Sequence, residues 1–174
     1  MPTWLNRRNS NRPLGLKGFT LSEVMITIVI VGILSSIALP NYFRQIQRTH
    51  QSEANSTVSQ VLATVAAYVD EFGTQPEQWV DLNSINYLMT DEGPVDVDNG
   101  TLTSSINLPG NHYQLTQQKN SDVSNGYYIF EALSTNPTSK DYNVLACVDL
   151  TNGASHQISG EYGSAAVTAS LKCR

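Results

Sequence analysis

An apolar run of 21 residues near the start of the chain constrains everything that follows. Residues 19–39 carry a single charge, Glu23. At about 1.5 Å per residue, a helix of that length spans the roughly 30 Å hydrocarbon core of a bilayer. The charged residues ahead of it are Arg7, Arg8, Arg12 and Lys17, with no acid among them. A basic head before one apolar span predicts a cytoplasmic N-terminus, a single pass, and everything beyond Pro40 on the far side. The run exceeds the h-region of a secretory signal, about 7–15 residues, and no Ala-x-Ala-like exit site accompanies it. Glu23 is the anomaly. A carboxylate inside a membrane helix costs about 2.5–3.5 kcal/mol or more, so it is normally partnered or functional.

Gly18-Phe19-Thr20-Leu21-Ser22-Glu23, the apolar helix after it, and Ala38-Leu39-Pro40-Asn41-Tyr42 resemble the N-terminus of the type IV prepilins. The likeness covers residues 18–51. It implies that a membrane prepilin peptidase cuts the leader, residues 1–18, between Gly18 and Phe19. It implies N-methylation of Phe19 and a role for Glu23 as the carboxylate that filament assembly requires. Gly32 and Pro40 match the family's helix-loosening positions. Ser22 departs from the pattern, where an aliphatic residue is usual. A serine can bond back to its own helix, so it is expected to be tolerated.

Elementary chemistry is consistent with those roles. Cleavage before Phe19 frees an α-amine that is cationic at neutral pH, and Glu23 lies about one helical turn away. The mature terminus would hold one cation and one anion in a low-dielectric phase. Pairing within a subunit is open to them, and so is pairing between neighbours. In the second case it would fix the stagger of adjacent helices and neutralise each buried charge only when a partner is present.

The leader takes four of the ten basic residues and none of the fifteen acids, leaving a formal −9 on residues 19–174. That balance argues against a general nucleic-acid surface, which needs clustered Lys and Arg. Pro40 removes a helical hydrogen bond at the outer end of the apolar run. The pattern after it is still helical, so a kink is expected there. Whether residues 32–40 also stretch on assembly stays open. Ala54, Val58, Val61, Val65, Tyr68 and Phe72 then recur at helical spacing, with Leu62 and Val69 beside them, as the seam under a globular head. Gln51, Glu53, Asn55, Gln60, Thr64 and Glu71 read as the opposite, polar side, and His50 as facing solvent. Gly73 and Pro76 end the helix.

Residues 74–108 have no clean period. Trp79, Leu82, Ile85, Tyr87, Leu88 and Met89 fit a helical turn or a packed loop. Asp91, Glu92, Asp96 and Asp98 cluster near glycines but lack the EF-hand spacing, so a solvated loop is expected instead of a calcium site. Alternating runs at 112–117, 127–133 and 142–148, separated by turn residues, predict an antiparallel meander. Residues 165–171 read as a fourth strand or an extended tail. The expected fold class is α+β. It comprises a leader (1–18), a membrane or filament-core helix (19–39), an amphipathic continuation (40–72) and a head (73–174) whose sheet lies on the 58–72 stripe.

The two cysteines, Cys147 and Cys173, both fall on the expected exported side, where disulfides persist. A bond between them matches the C-terminal disulfide loop that the resemblance implies. Two cysteines and isolated histidines make no metal site, and no cofactor is expected. No nucleophile elbow, phosphate loop or His-Glu-x-x-His pattern occurs, so no enzyme is expected either. More weakly, residues 142–153 resemble the C-terminal region of cyanobacterial pilin-like proteins.

The resulting expectation is a structural subunit, major or minor, of a type IV pilus serving motility, adhesion or uptake. It would wait in the inner membrane and end in an extracellular fibre. The implied partners are other pilin subunits, the prepilin peptidase, an inner-membrane assembly platform and its ATPase. The alternatives are a pseudopilin of a type II secretion system and a competence minor pilin that captures DNA.

Overall fold

The computed structural model describes residues 18–174. Leader residues 1–17, with the basic residues Arg7, Arg8, Arg12 and Lys17, lie outside the described residues. The chain divides into two units between Asn41 and Tyr42. Helix α1, Leu21–Phe72, contributes to both. It continues through Pro40, where the missing N–H removes the usual bond to the Ser36 carbonyl. Side chains serve neighbouring carbonyls: Ser36 Oγ donates to Ile33 O at 2.7 Å and Asn41 Nδ2 to Ile37 O at 3.3 Å.

In the N-terminal unit the apolar side chains of α1 face outward. Met25, Ile28, Ile33 and Ile37 are each more than half exposed. The helix contains a stretch long and apolar enough to cross a membrane.

The C-terminal unit packs the second half of α1 on a sheet. The sheet has five strands in sequence order: β3 (Ile106–Asn107), β4 (Tyr113–Gln117), β5 (Tyr127–Ser134), β6 (Val144–Asp149) and β7 (Ala154–Ser159). All pairings are antiparallel. Two shorter strands, β1 (Met89–Thr90) and β2 (Gly93–Pro94), make a separate ribbon. The α+β meander expected from the alternating runs is therefore the fold.

Period two sorts the sheet's side chains onto two faces. Tyr128, Phe130 and Ala132 of β5, with Val144, Ala146 and Val148 of β6, join Ala54, Val58, Val61, Leu62 and Val65 of α1 in one core. Ile129, Leu145 and Cys147 point the other way, into a second cluster closed by Cys173 and packed against Ala166 and Leu171. Strand β6 is buried along its whole length, which is why residues 144–148 are continuously apolar instead of alternating before Asp149 ends the strand. Residues 165–171 are no strand but part of this covering tail, with one 3-10 turn at Thr168–Ser170.

The helical stripe holds from Ala54 to Val65, whereas Phe72 is exposed. Gly73, at φ +66°, ends the helix as expected and donates to Val69 O at 2.9 Å. Two residues assigned to the polar side, Gln51 and Thr64, are buried. Gln51 Nε2 donates to the carbonyls of Tyr142, Asn143 and Gly160, so its amide takes the place of water for backbone that the head covers. His50 is also only partly exposed. Its ring lies 3.6 Å from that of His112, centroid to centroid.

The stretch with no clean period folds as a 3-10 turn, Trp79–Ser84, followed by the β1–β2 ribbon. Trp79 and Leu82 are fully buried, and the Trp79 indole donates to Ser104 O at 2.9 Å.

Candidate functional site

The start of α1 is held by a reciprocal pair. Thr20 precedes the first helical residue, and Glu23 is the third residue of the helix. Glu23 N donates to Thr20 Oγ1 at 3.2 Å, and Thr20 N donates back to Glu23 Oε2 at 2.8 Å. The Thr20 hydroxyl also donates to Glu23 Oε2 at 2.7 Å. This is a capping box, in which two orphan backbone donors are satisfied by side chains across one turn. A carboxylate here also faces the positive end of the helix dipole. Ser22 Oγ sits 3.2 Å from Thr20 Oγ1, so the residue that departs from the prepilin pattern is absorbed by the cap.

Phe19 lies just outside the helix with 89% of its surface exposed, and Gly18 before it is exposed too. The Gly18–Phe19 peptide bond is accordingly open on every side that the described residues define. A Cβ built on Gly32 meets no atom within 4 Å, so nothing among the described residues requires a glycine there. Glu23, Gly32 and Pro40 all fall on one outward-facing apolar segment.

At the far end of the chain Cys147 and Cys173 are joined by a disulfide. Arg174, next in sequence, bonds Asp149 at 3.0 Å and Asp122 at 3.2 Å, and its guanidinium lies 4.3 Å from the Tyr127 ring centroid. Both carboxyls are held below the ordinary range. For Asp149 the main causes are the Thr151 hydroxyl and backbone N–H, with Arg174 behind them. For Asp122 they are the Asn125 amide and then Arg174. Tyr113, under the sheet, is pushed up to about 12 by burial, and its hydroxyl donates to Tyr142 O at 2.8 Å.

The acids at 91–98 stay on an exposed loop. Asp96 Oδ1 accepts from Asp98 N at 2.9 Å. Among the described residues no group of three His, Cys, Asp or Glu is arranged to hold a metal ion. Sequence reasoning missed Gln51. Its signal was weak: one polar residue in register with Ala54 and Val58 on the buried face.

An apolar helix capped by a Thr-Glu pair, facing outward, followed by a helix-on-meander head with a disulfide-closed tail, is the architecture that the prepilin resemblance implies. Residues 17–39 match the family model described as the prokaryotic N-terminal methylation motif. The chain is 36% identical over 98 residues to the type IV major pilin protein PilE1 of Neisseria gonorrhoeae, covering 54% of each chain. It is 43% identical over 60 residues to the fimbrial protein EcpC of Eikenella corrodens, covering 34% of this chain and 39% of that one. It is 38% identical over 55 residues to the type IV major pilin protein PilA of Myxococcus xanthus, covering 32% of this chain and 25% of that one. The chain thus spans about half, or less, of the length of these curated relatives. No solved structure matches it. By motif and relatives, the chain is similar to the type IV pilins.

Proposed function

We propose that this chain is a structural subunit of a type IV pilus, assembled after removal of residues 1–18 and N-methylation of Phe19. It is a building block and not an enzyme. The observation that carries this reading is the outward-facing apolar half of α1, which begins with the Thr20–Glu23 cap. Such a surface needs a nonaqueous partner. In the inner membrane that partner is lipid, and in the fibre it is the same segment of neighbouring subunits. Relatives named as pilins and fimbrial proteins support the fibre over a secretion pseudopilus.

Glu23 then has two tasks. Within one subunit it caps the helix. Between subunits its charge meets the cationic, methylated α-amine of Phe19 on a neighbour and fixes the stagger. The prepilin peptidase, the inner-membrane platform and its ATPase are the partners this route requires.

Glu23→Gln separates the tasks. Glutamine still accepts from Thr20 N and preserves the cap, but it removes the charge. The variant should accumulate in the membrane, cleaved, and build no fibres. Normal fibres from it would reduce Glu23 to a cap. Deleting the gene and imaging the cell surface by electron microscopy tests the wider reading: fibres should vanish and return on complementation.

A further inference from the structure

The β1–β2 ribbon has one face that nothing in the described chain covers. Its inner face, Leu88, Thr90 and Val95, is buried. Its outer face carries Tyr87, Met89 and Pro94, all exposed, with Tyr87 at 66% and Met89 at 49%. The pairing Met89↔Pro94 sets the last two side by side, and period two puts Tyr87 on the same face as Met89. Asp91, Glu92 and Asp96 rim this face and are exposed. Among the described residues none of these three carboxylates pairs with a Lys or Arg; the Lys or Arg ion pairs present are those of Arg174 with Asp122 and Asp149.

A partner for such a face has to bring cations. Outside the leader the chain has six: Arg44, Arg48, Lys119, Lys140, Lys172 and Arg174. Arg174 is held internally by Asp122 and Asp149. Arg44 and Arg48 are one helical turn apart on α1, both exposed. Arg44 lies 5.2 Å from the Tyr162 ring centroid, which steadies its guanidinium without neutralising it.

We infer that the outer face of the β1–β2 ribbon docks on the Arg44–Arg48 turn of α1 in a second copy of this chain. The apolar centre and acidic rim of one patch complement the paired guanidinium groups of the other. The two patches differ, so the contact is heterologous and repeats from copy to copy, which generates an open helical array and not a closed dimer. This contact rests on the fibre reading and adds to it a head-to-head interaction outside the apolar helices. The acidic rim also disfavours an anionic lipid surface as the occupant.

Charge exchange in full-length chain, expressed in the host cells, tests it. Arg44→Glu with Arg48→Glu, and separately Asp91→Lys with Asp96→Lys, should each cut sheared surface fibre about tenfold or more while membrane-held protein stays constant, because like charges face each other across the contact. All four changes together should restore fibre. In parallel, Arg48→Lys keeps the charge and supplies an amine. Carbodiimide treatment of those fibres should give multimers with an amide link from position 48 to position 91, 92 or 96. A fourfold variant no better than the one-sided ones, or a link from the rim to another polypeptide, overturns this contact while leaving the pilin reading intact. Absence of fibres from the unaltered chain overturns both.

Discussion

Gln51 Nε2 donates to the carbonyl oxygen of Gly160 at 2.7 Å, tying the second half of α1 to the turn after β7. The same amide reaches Tyr142 O at 3.1 Å and Asn143 O at 3.4 Å. One side chain thus satisfies backbone from two segments at the base of the head. Gln51→Leu should lower stability by about 1–3 kcal/mol, because it strands the Gly160 carbonyl while keeping the volume; Tyr142 O keeps the Tyr113 hydroxyl and Asn143 O keeps Gly160 N. Thermal unfolding of the detergent-solubilised chain measures it. No change in midpoint would mean that water reaches the Gly160 carbonyl.

Gly160 is the other side of that joint. A Cβ there would sit 2.0 Å from Asp141 O and 2.8 Å from Ala166 N. Both obstacles are backbone, so neither can swing aside. Gly160→Ala should destabilise the head more than Gly153→Ala. The latter strains a left-handed turn but meets no atom within 4 Å. Equal losses at the two positions would contradict the close approach.

The disulfide encloses 25 residues and holds the tail over the outer sheet face. Replacing Cys147 and Cys173 together by Ser should cost about 3 kcal/mol on the loop-entropy estimate. It should also speed hydrogen exchange first on Ile129 and Leu145, which the tail shields. Uniform loss across the head would mean that the tail seals nothing in particular.

The pH response follows from the Asp149 and Asp122 shifts. Both carboxyls have native values below the unfolded value of about 3.9, so their contribution is present above that pH and is lost as pH falls through the lower native values. Melting temperature should therefore fall as pH drops below about 4, and Asp149→Asn should flatten the slope. At the other extreme, burial raises Tyr113 to about 12. Its contribution is intact below the unfolded value of about 10 and disappears as pH climbs through 12. A Tyr113→Phe chain should lose that alkaline component.

The long helix, its Gly73 end and the three central strands were legible because each carries a clean period or a stop signal in its own residues. Strand β7 was not. Ala154-Ser155-His156-Gln157-Ile158-Ser159 is an edge strand of intermediate burial, so it has no apolar alternation to read. Its place comes from pairing with β6 and from Gln157, which donates to Asn55 on α1. The β1–β2 ribbon is two residues per strand, too short for any period. At the N-terminus the motif residues were readable, but the Thr20–Glu23 reciprocity was not singled out. The eye goes to the charge in an apolar run before the cap that it completes. Gln51 and the His50–His112 contact depend on chain segments some 60 to 110 residues apart, and no local pattern encodes them.

The most direct measurement is the intact mass, with terminal sequencing, of this chain recovered from sheared surface fibres. The expected product is residues 19–174 beginning at N-methylated Phe19, with Cys147 and Cys173 oxidised. Fibre-borne chain that still carries residues 1–18, or chain found only in membranes with an unmodified Phe19 and no fibres, would contradict it.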